Sequence, residues 1–201
     1  GGSFGSLLPC GYYSVQDAAG NIYNTVQITV QGDTQCWTKE NMRYDNGCSS
    51  KTWVTGSDTG WCGQYPGSVL AEEGLLYQWS AAMNGDPTKV QGICPAGWHI
   101  PTDSDWHALE SSLADGSCDP NRSIAWGCAP AGARMAGQKT RWQDGALIQH
   151  SAFGESGLSV LPAGWRQGLN GQHGGRKHDA RFWSSTRVGA DPISRYVHHD
   201  R

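Results

Sequence analysis

Seven cysteines constrain this chain more than any other feature. Cys10, Cys36, Cys48, Cys62, Cys94, Cys118 and Cys128 are scattered through 201 residues with no CxxC pair among them. Metal-binding thiols come in close pairs, so the spacing removes the strong zinc reading. Seven is also too many for an ordinary reduced cytosolic domain. What remains is a disulfide framework formed in an oxidising compartment, extracellular or at a cell surface. Three pairs leave one thiol over, which needs a partner elsewhere. Glycine points the same way: its 28 residues are about twice the usual share. Such a chain loses unusual backbone entropy on folding, which covalent staples partly offset.

Length and charge narrow the class. The chain suits one domain, taken as residues 10–201, with residues 1–9 as a linker or scar. Net charge is -3, from 15 basic and 18 acidic residues. The nearest basic run, Arg176, Lys177, His178 and Arg181, is diluted by Asp179, so the electrostatic footprint of a nucleic-acid binder is missing. No apolar stretch approaches the ~18 residues of a membrane helix. Residues 1–9 lack the positive n-region of a signal peptide.

Periodicity identifies a few elements. In residues 21–30, Ile22, Val26, Ile28 and Val30 share one face and Thr25, Gln27 and Thr29 the other, broken only near Tyr23, which reads as a strand. Residues 46–67 read as a long loop stapled by Cys48 and Cys62. After Pro101, Thr102 or Asp103 can cap a helix over residues 103–114, with Asp103 and Asp105 in its first turn and Trp106, Leu109 and Leu113 at i, i+3 and i+7. A shorter helical piece is expected at residues 77–83. Residues 158–161, 181–184 and 195–199 read as short strands, giving an α+β pattern without regular βα alternation.

The segment Cys94-Pro95-Ala96-Gly97-Trp98-His99-Ile100-Pro101-Thr102-Asp103, with Trp106, resembles the Fibrobacter succinogenes major paralogous domain. Further motifs agree in order: residues 24–28 (NTVQI), Gln35-Cys36-Trp37 with Glu40-Asn41-Met42, residues 74–79 (GLLYQW) with Ala81-Ala82-Met83, residues 161–166 (LPAGWR), and residues 182–186 (FWSST). The resemblance covers residues 10–201. It implies a C-type-lectin-like fold near the formylglycine-generating-enzyme branch, with a small twisted antiparallel sheet, two helices and long loops. Some members of this fold class are variable proteins of diversity-generating retroelements, whose codons are hypermutated near the C-terminus of a ligand-binding domain; here that region is about residues 176–201. The resemblance also implies a further loop and a last strand carrying a cysteine that pairs with Cys94; this chain stops at Arg201, so either this branch is shorter or residues after Arg201 are missing, and the second is the expectation. With Cys94 reserved, the short loops pair Cys118 with Cys128 and Cys48 with Cys62, leaving Cys10 with Cys36, each closure contributing about 2–4 kcal/mol.

Each candidate site also has a plainer role. His173, His178, His198 and His199, with Asp179, Asp191 and Asp200, could bind zinc or nickel. Adjacent strand residues such as His198 and His199 point to opposite faces, so no metal is assigned. Helix capping explains Asp103 and Asp105, and Glu110 lies well around the helix. Ser184, His199 and Asp200 form a triad only on paper, without a nucleophile elbow. No cysteine follows Cys128 to serve the copper chemistry of the oxidase branch. Asn84 with Asp86, or Asp115 with Asp119, offer calcium ligands in no recognised register, so structural calcium stays unassigned. Trp37, Trp79, Trp98, Trp106 and Trp183 are expected in the core and Trp53, Trp61 and Trp142 exposed on loops.

The expected function is a non-enzymatic ligand-binding domain without cofactor. The alternatives are a formylglycine-generating-enzyme-like oxidase and an invariant structural cell-surface domain. The partner expected is a protein, with carbohydrate second. Strand alternation and the linking loop give the binding set: Arg176, His178, Arg181, Arg187, Val188, Asp191, Ile193, Ser194, His198 and Arg201.

Overall fold

The computed structural model describes residues 9–30, 32–116, 118–119 and 128–200. The expected linker, Pro9 excepted, and Arg201 lie outside the described residues. The architecture is α+β, with small antiparallel sheets, short helices and three disulfides, in agreement with a C-type-lectin-like organisation.

Strands β1 (Ser14–Gln16), β2 (Ile22–Val30) and β3 (Asp33–Thr38) form an antiparallel sheet in that order. The expected face of β2 holds only in its second half, where Ile28 and Val30 are buried. In the first half Tyr23 and Thr25 are buried, and Ile22 is exposed. The reason is polar: the Tyr23 hydroxyl donates to the buried Asp17 carboxylate at 2.7 Å, and Thr25 Oγ1 donates to the Tyr13 carbonyl at 2.6 Å. Those buried bonds pull the odd positions inward.

The stapled region is largely irregular, as expected, with a 3-10 turn at Cys48–Ser50 and the two-residue strand β4 (Cys62–Gly63), which pairs with β5 (Leu76–Tyr77). A one-turn helix, α1 (Leu70–Glu73), precedes β5. The helical piece expected at 77–83 shrinks to α2 (Trp79–Ala82), ended at Asn84 with φ 55°. The main helix, α3 (Asp103–Ser112), begins at Thr102, whose side chain accepts from the Asp105 N–H while Asp105 accepts from the Thr102 N–H, a complete capping box. Trp106 and Leu109 on its inner face are buried.

Two short helices, α4 (Ala131–Met135) and α5 (Ala146–Gln149), and the paired strands β6 (Trp165–Arg166) and β7 (His173–Gly174) follow. The longest pair closes the described chain: β8 (Asp179–Val188) and β9 (Asp191–His198), antiparallel, with a bulge between Trp183 and Arg187. Instead of a strand at 158–161 there is a single bridge from Val160 to Ala136.

The main core joins β2, α3, α4, α5 and the β8–β9 pair. In it Trp106 stands between Trp37 and Phe182, ring centroids 4.8 and 5.1 Å away. Trp142, expected on the surface, is buried there, its Nε1 donating to the Gly137 carbonyl at 3.0 Å. A single donor bond is enough to bring an indole fully inside. A second cluster holds Trp79, Met83, Ile93 and Ile100, with Trp183 packed against it.

All three expected disulfides are present: Cys10–Cys36, Cys48–Cys62 and Cys118–Cys128. Cys94 is a free thiol, half-buried, and burial pushes it up to about 12.

Candidate functional site

Alternation along β8–β9 sorts its side chains into two sets. Ala180 and Val197 are opposite each other and buried, and beside them Phe182 packs on the core. Arg195, opposite Phe182, reaches α3. It donates from Nε and Nη2 to Asp103 Oδ1 at 2.9 and 2.5 Å and from Nη1 to Glu110 Oε2 at 3.1 Å. The three helix carboxylates are therefore occupied, two by Arg195 and the third, Asp105, by the cap. Burial raises the Asp105 pKa, but hydrogen bonds from Thr102 and the nearby His99 outweigh it and hold the carboxyl below its ordinary value.

Main-chain bonds fasten the middle of β8. Trp79 Nε1 donates to the Ser184 carbonyl at 2.9 Å, Trp183 Nε1 to the Tyr77 carbonyl at 2.8 Å, and the Ser185 N–H to the Pro101 carbonyl at 2.9 Å. Ser184 is fully buried, with Oγ accepting from the Thr186 N–H, while His199 lies past the open end of the hairpin. The structure does not assemble the triad of Ser184, His199 and Asp200.

The outward set borders a cleft of about 1320 Å³. Arg181, Arg187, Asp191 and Ser194 open onto it, and all four are exposed. Arg181 lies over the Trp165 ring at 4.9 Å and the Tyr196 ring at 5.4 Å. Arg187 lies over Trp79 at 5.0 Å and donates to the Ala190 carbonyl at 3.2 Å. Val188, opposite Asp191, is 70% exposed at the hairpin tip. Ile193 is half-buried.

Three expected residues lie elsewhere. Arg176 forks onto the buried Glu73 with bonds of 2.7 and 2.6 Å. His178 and His198 stand at the open end of the hairpin, near His199. Arg201 lies outside the described residues. The calcium candidates are engaged: Asp86 accepts from the Thr88 N–H and Oγ1 at 3.0 and 2.6 Å, and Asp115 pairs with Arg134 at 2.8 Å.

The sequence reading missed the aromatic wall of the cleft. Trp53 and Trp61 are half-buried and meet edge to face at 5.2 Å, and the Arg166 guanidinium stacks over both at 4.0 and 4.3 Å. Desolvation lowers the Arg166 pKa. The one available signal was two tryptophans eight residues apart inside a disulfide-closed loop, which forces them to the same place. Cys94 and Trp98 line the same cleft.

No helix among the described residues is long and apolar enough to cross a membrane. No curated protein and no solved structure matches the chain. The model of the Fibrobacter succinogenes major domain matches residues 30–197, a span that takes in β3, α3, the cleft and nearly all of the closing hairpin, and the chain belongs to that family.

Proposed function

We propose that this protein is a non-enzymatic ligand-binding domain of the extracellular or cell-surface space, and that the β8–β9 hairpin presents its binding side chains. The observation that carries this reading is the division of labour along the hairpin. Ala180, Phe182, Arg195 and Val197 are spent on the scaffold, whereas Arg181, Arg187, Val188, Asp191 and Ser194 are exposed along the hairpin. No packing rule demands those outward identities, and a mixed set of charge, bulk and polarity beside an aromatic cleft suits a protein ligand held by a few anchors and a polar rim. Trp53, Trp61 and Trp165 give the cleft an aromatic lining, which makes carbohydrate the second choice of ligand. Three disulfides support an oxidising location.

We further read the hairpin as the hypermutated region of a diversity-generating retroelement target. The test is genomic. A template repeat of the segment encoding residues 176–201, beside a reverse-transcriptase gene and differing from it only at template adenines, is the expected finding. Identical residues 176–201 in copies from closely related strains, with no such repeat nearby, would overturn this reading in favour of an invariant structural domain.

A further inference from the structure

At the open end of the β8–β9 hairpin, opposite its turn at Gly189, imidazoles and carboxylates converge. Because β9 ends at His198, His199 escapes strand alternation. Its ring lies 4.4 Å from that of His198 and 4.6 Å from that of His178. The ground for separating His198 from His199 therefore fails. His199 Nδ1 is 3.2 Å from Asp200 Oδ1, and His198 Nδ1 is 4.0 Å from Asp200 Oδ2. One ligand atom from each of the three residues lies within 4.8 Å of the others. Donors at about 2.0–2.2 Å from a tetrahedral ion are roughly 3.4 Å apart, so small side-chain adjustments close the group on a metal.

Two independent features favour an occupant. The first is Asp179, opposite His198 on β8. Its Oδ2 accepts from Trp165 Nε1 at 2.8 Å and from Arg181 at 3.2 Å, but its buried Oδ1 has no hydrogen-bond partner among the described residues. His198 Nε2 lies 3.7 Å from that oxygen. A ligating histidine donates its second ring N–H to a carboxylate, which fixes the tautomer and aims the first nitrogen at the metal. Asp179 stands where that carboxylate is needed. The second feature is Gly145, where a side chain would bring Cβ within 2.5 Å of the His199 carbonyl, 2.7 Å of His199 Nδ1 and 2.8 Å of Asp200 Oδ1. Gly145 leaves room beside the donor atoms themselves.

Two of the bonds at those donors are long. His198 Nδ1 accepts from the Asp200 N–H at 3.3 Å, and His199 Nδ1 is 3.3 Å from the Asp144 carbonyl. Imidazole with one carboxylate suits borderline ions rather than calcium or magnesium. We propose that His198, His199 and Asp200 bind a divalent transition-metal ion of the zinc or nickel class, with Asp179 as the carboxylate behind His198. The site is separate from the cleft and does not rest on the function proposed above.

Zinc chloride titrated into the tag-free, oxidised chain by calorimetry tests this. The expected result is one ion per chain. His198→Ala and His199→Ala should each weaken binding by at least about tenfold, as expected for lost ligands, and Asp179→Asn by about 10- to 100-fold. Cys94→Ser, which removes the one free thiol, should leave binding unchanged. X-ray absorption of the zinc-loaded wild-type chain should show at least two imidazoles, a readout that holds even where a variant fails to fold. Absence of saturable binding, binding indifferent to the histidine substitutions, or a sulfur-containing shell overturns the proposal.

Discussion

Arg176 holds Glu73 across 103 residues of sequence by two charge-assisted bonds of 2.7 and 2.6 Å, and Glu73 is only 7% exposed. The pair locks the strand-poor segment before β8 onto the one-turn helix α1.

Removing one partner strands the other as a buried charge. Arg176→Ala should therefore lose about 3 kcal/mol in urea unfolding. Arg176→Lys should recover only part of it, because an ammonium cannot reproduce the planar fork. A loss below about 1 kcal/mol, the range of a solvated surface pair, would return Arg176 to the ligand-facing set.

Outward and inward residues of the hairpin should behave oppositely. Phe182→Ala removes a ring stacked against Trp106 and should cost on the order of 3 kcal/mol. Arg187, Val188 and Asp191, each changed to Ala, should stay within about 0.5 kcal/mol of the parent while the triple variant loses its ligand. Thermal denaturation beside a binding assay checks both arms; a collapse of the triple variant would make those side chains structural.

Non-reducing peptide mapping should recover Cys10–Cys36, Cys48–Cys62 and Cys118–Cys128, with Cys94 alkylated only after unfolding. Its thiol, raised by burial to about 12, is almost wholly protonated near neutrality and so a poor nucleophile. The doubly substituted Cys48→Ser, Cys62→Ser chain should lose about 2–4 kcal/mol. Any bridge from Cys94 to one of the other six refutes the scheme.

Acid should destabilise the fold through Asp17. Burial raises its pKa, but bonds from Tyr23, Asn21 and Ala19 outweigh burial and hold it below 3.8. A carboxyl depressed in the folded state contributes stability above its unfolded value and loses it as pH falls through the folded one. The stability gap between the parent and Asp17→Asn should therefore be constant from pH 7 to about 5 and shrink below about pH 4. A gap of constant size across that range means that the Asp17 carboxyl binds its proton equally in the folded and unfolded states, and the argument fails.

What was legible in the sequence was what local chemistry decides. Thr102 and Asp103 both offer a cap just after Pro101, so the helix behind them could be read directly, although only the structure chooses Thr102. Short loop closure likewise marked the pairs Cys48–Cys62 and Cys118–Cys128. Tertiary partners decided the rest. Tyr23 turns inward because Asp17 awaits its hydroxyl, and Trp142 because the Gly137 carbonyl accepts its N–H. His199 joins His198 because the strand stops one residue earlier. Of the binding set, alternation found the exposed Arg181 and Ser194, but it had no means of seeing that Glu73 waits for Arg176.

The fastening of β8 has an evolutionary corollary. Trp79 grips the carbonyl of residue 184, and Pro101 receives the N–H of residue 185. Both bonds go to atoms that every amino acid other than proline supplies. Such a latch is blind to spelling and sensitive to counting. Exchanges of letters beyond it, along 187–194, leave the anchorage where it is, whereas a single inserted or deleted residue between the latch and the turn would move every later side chain to the opposite face. A lineage free to vary at this hairpin would thus accumulate substitutions at constant length.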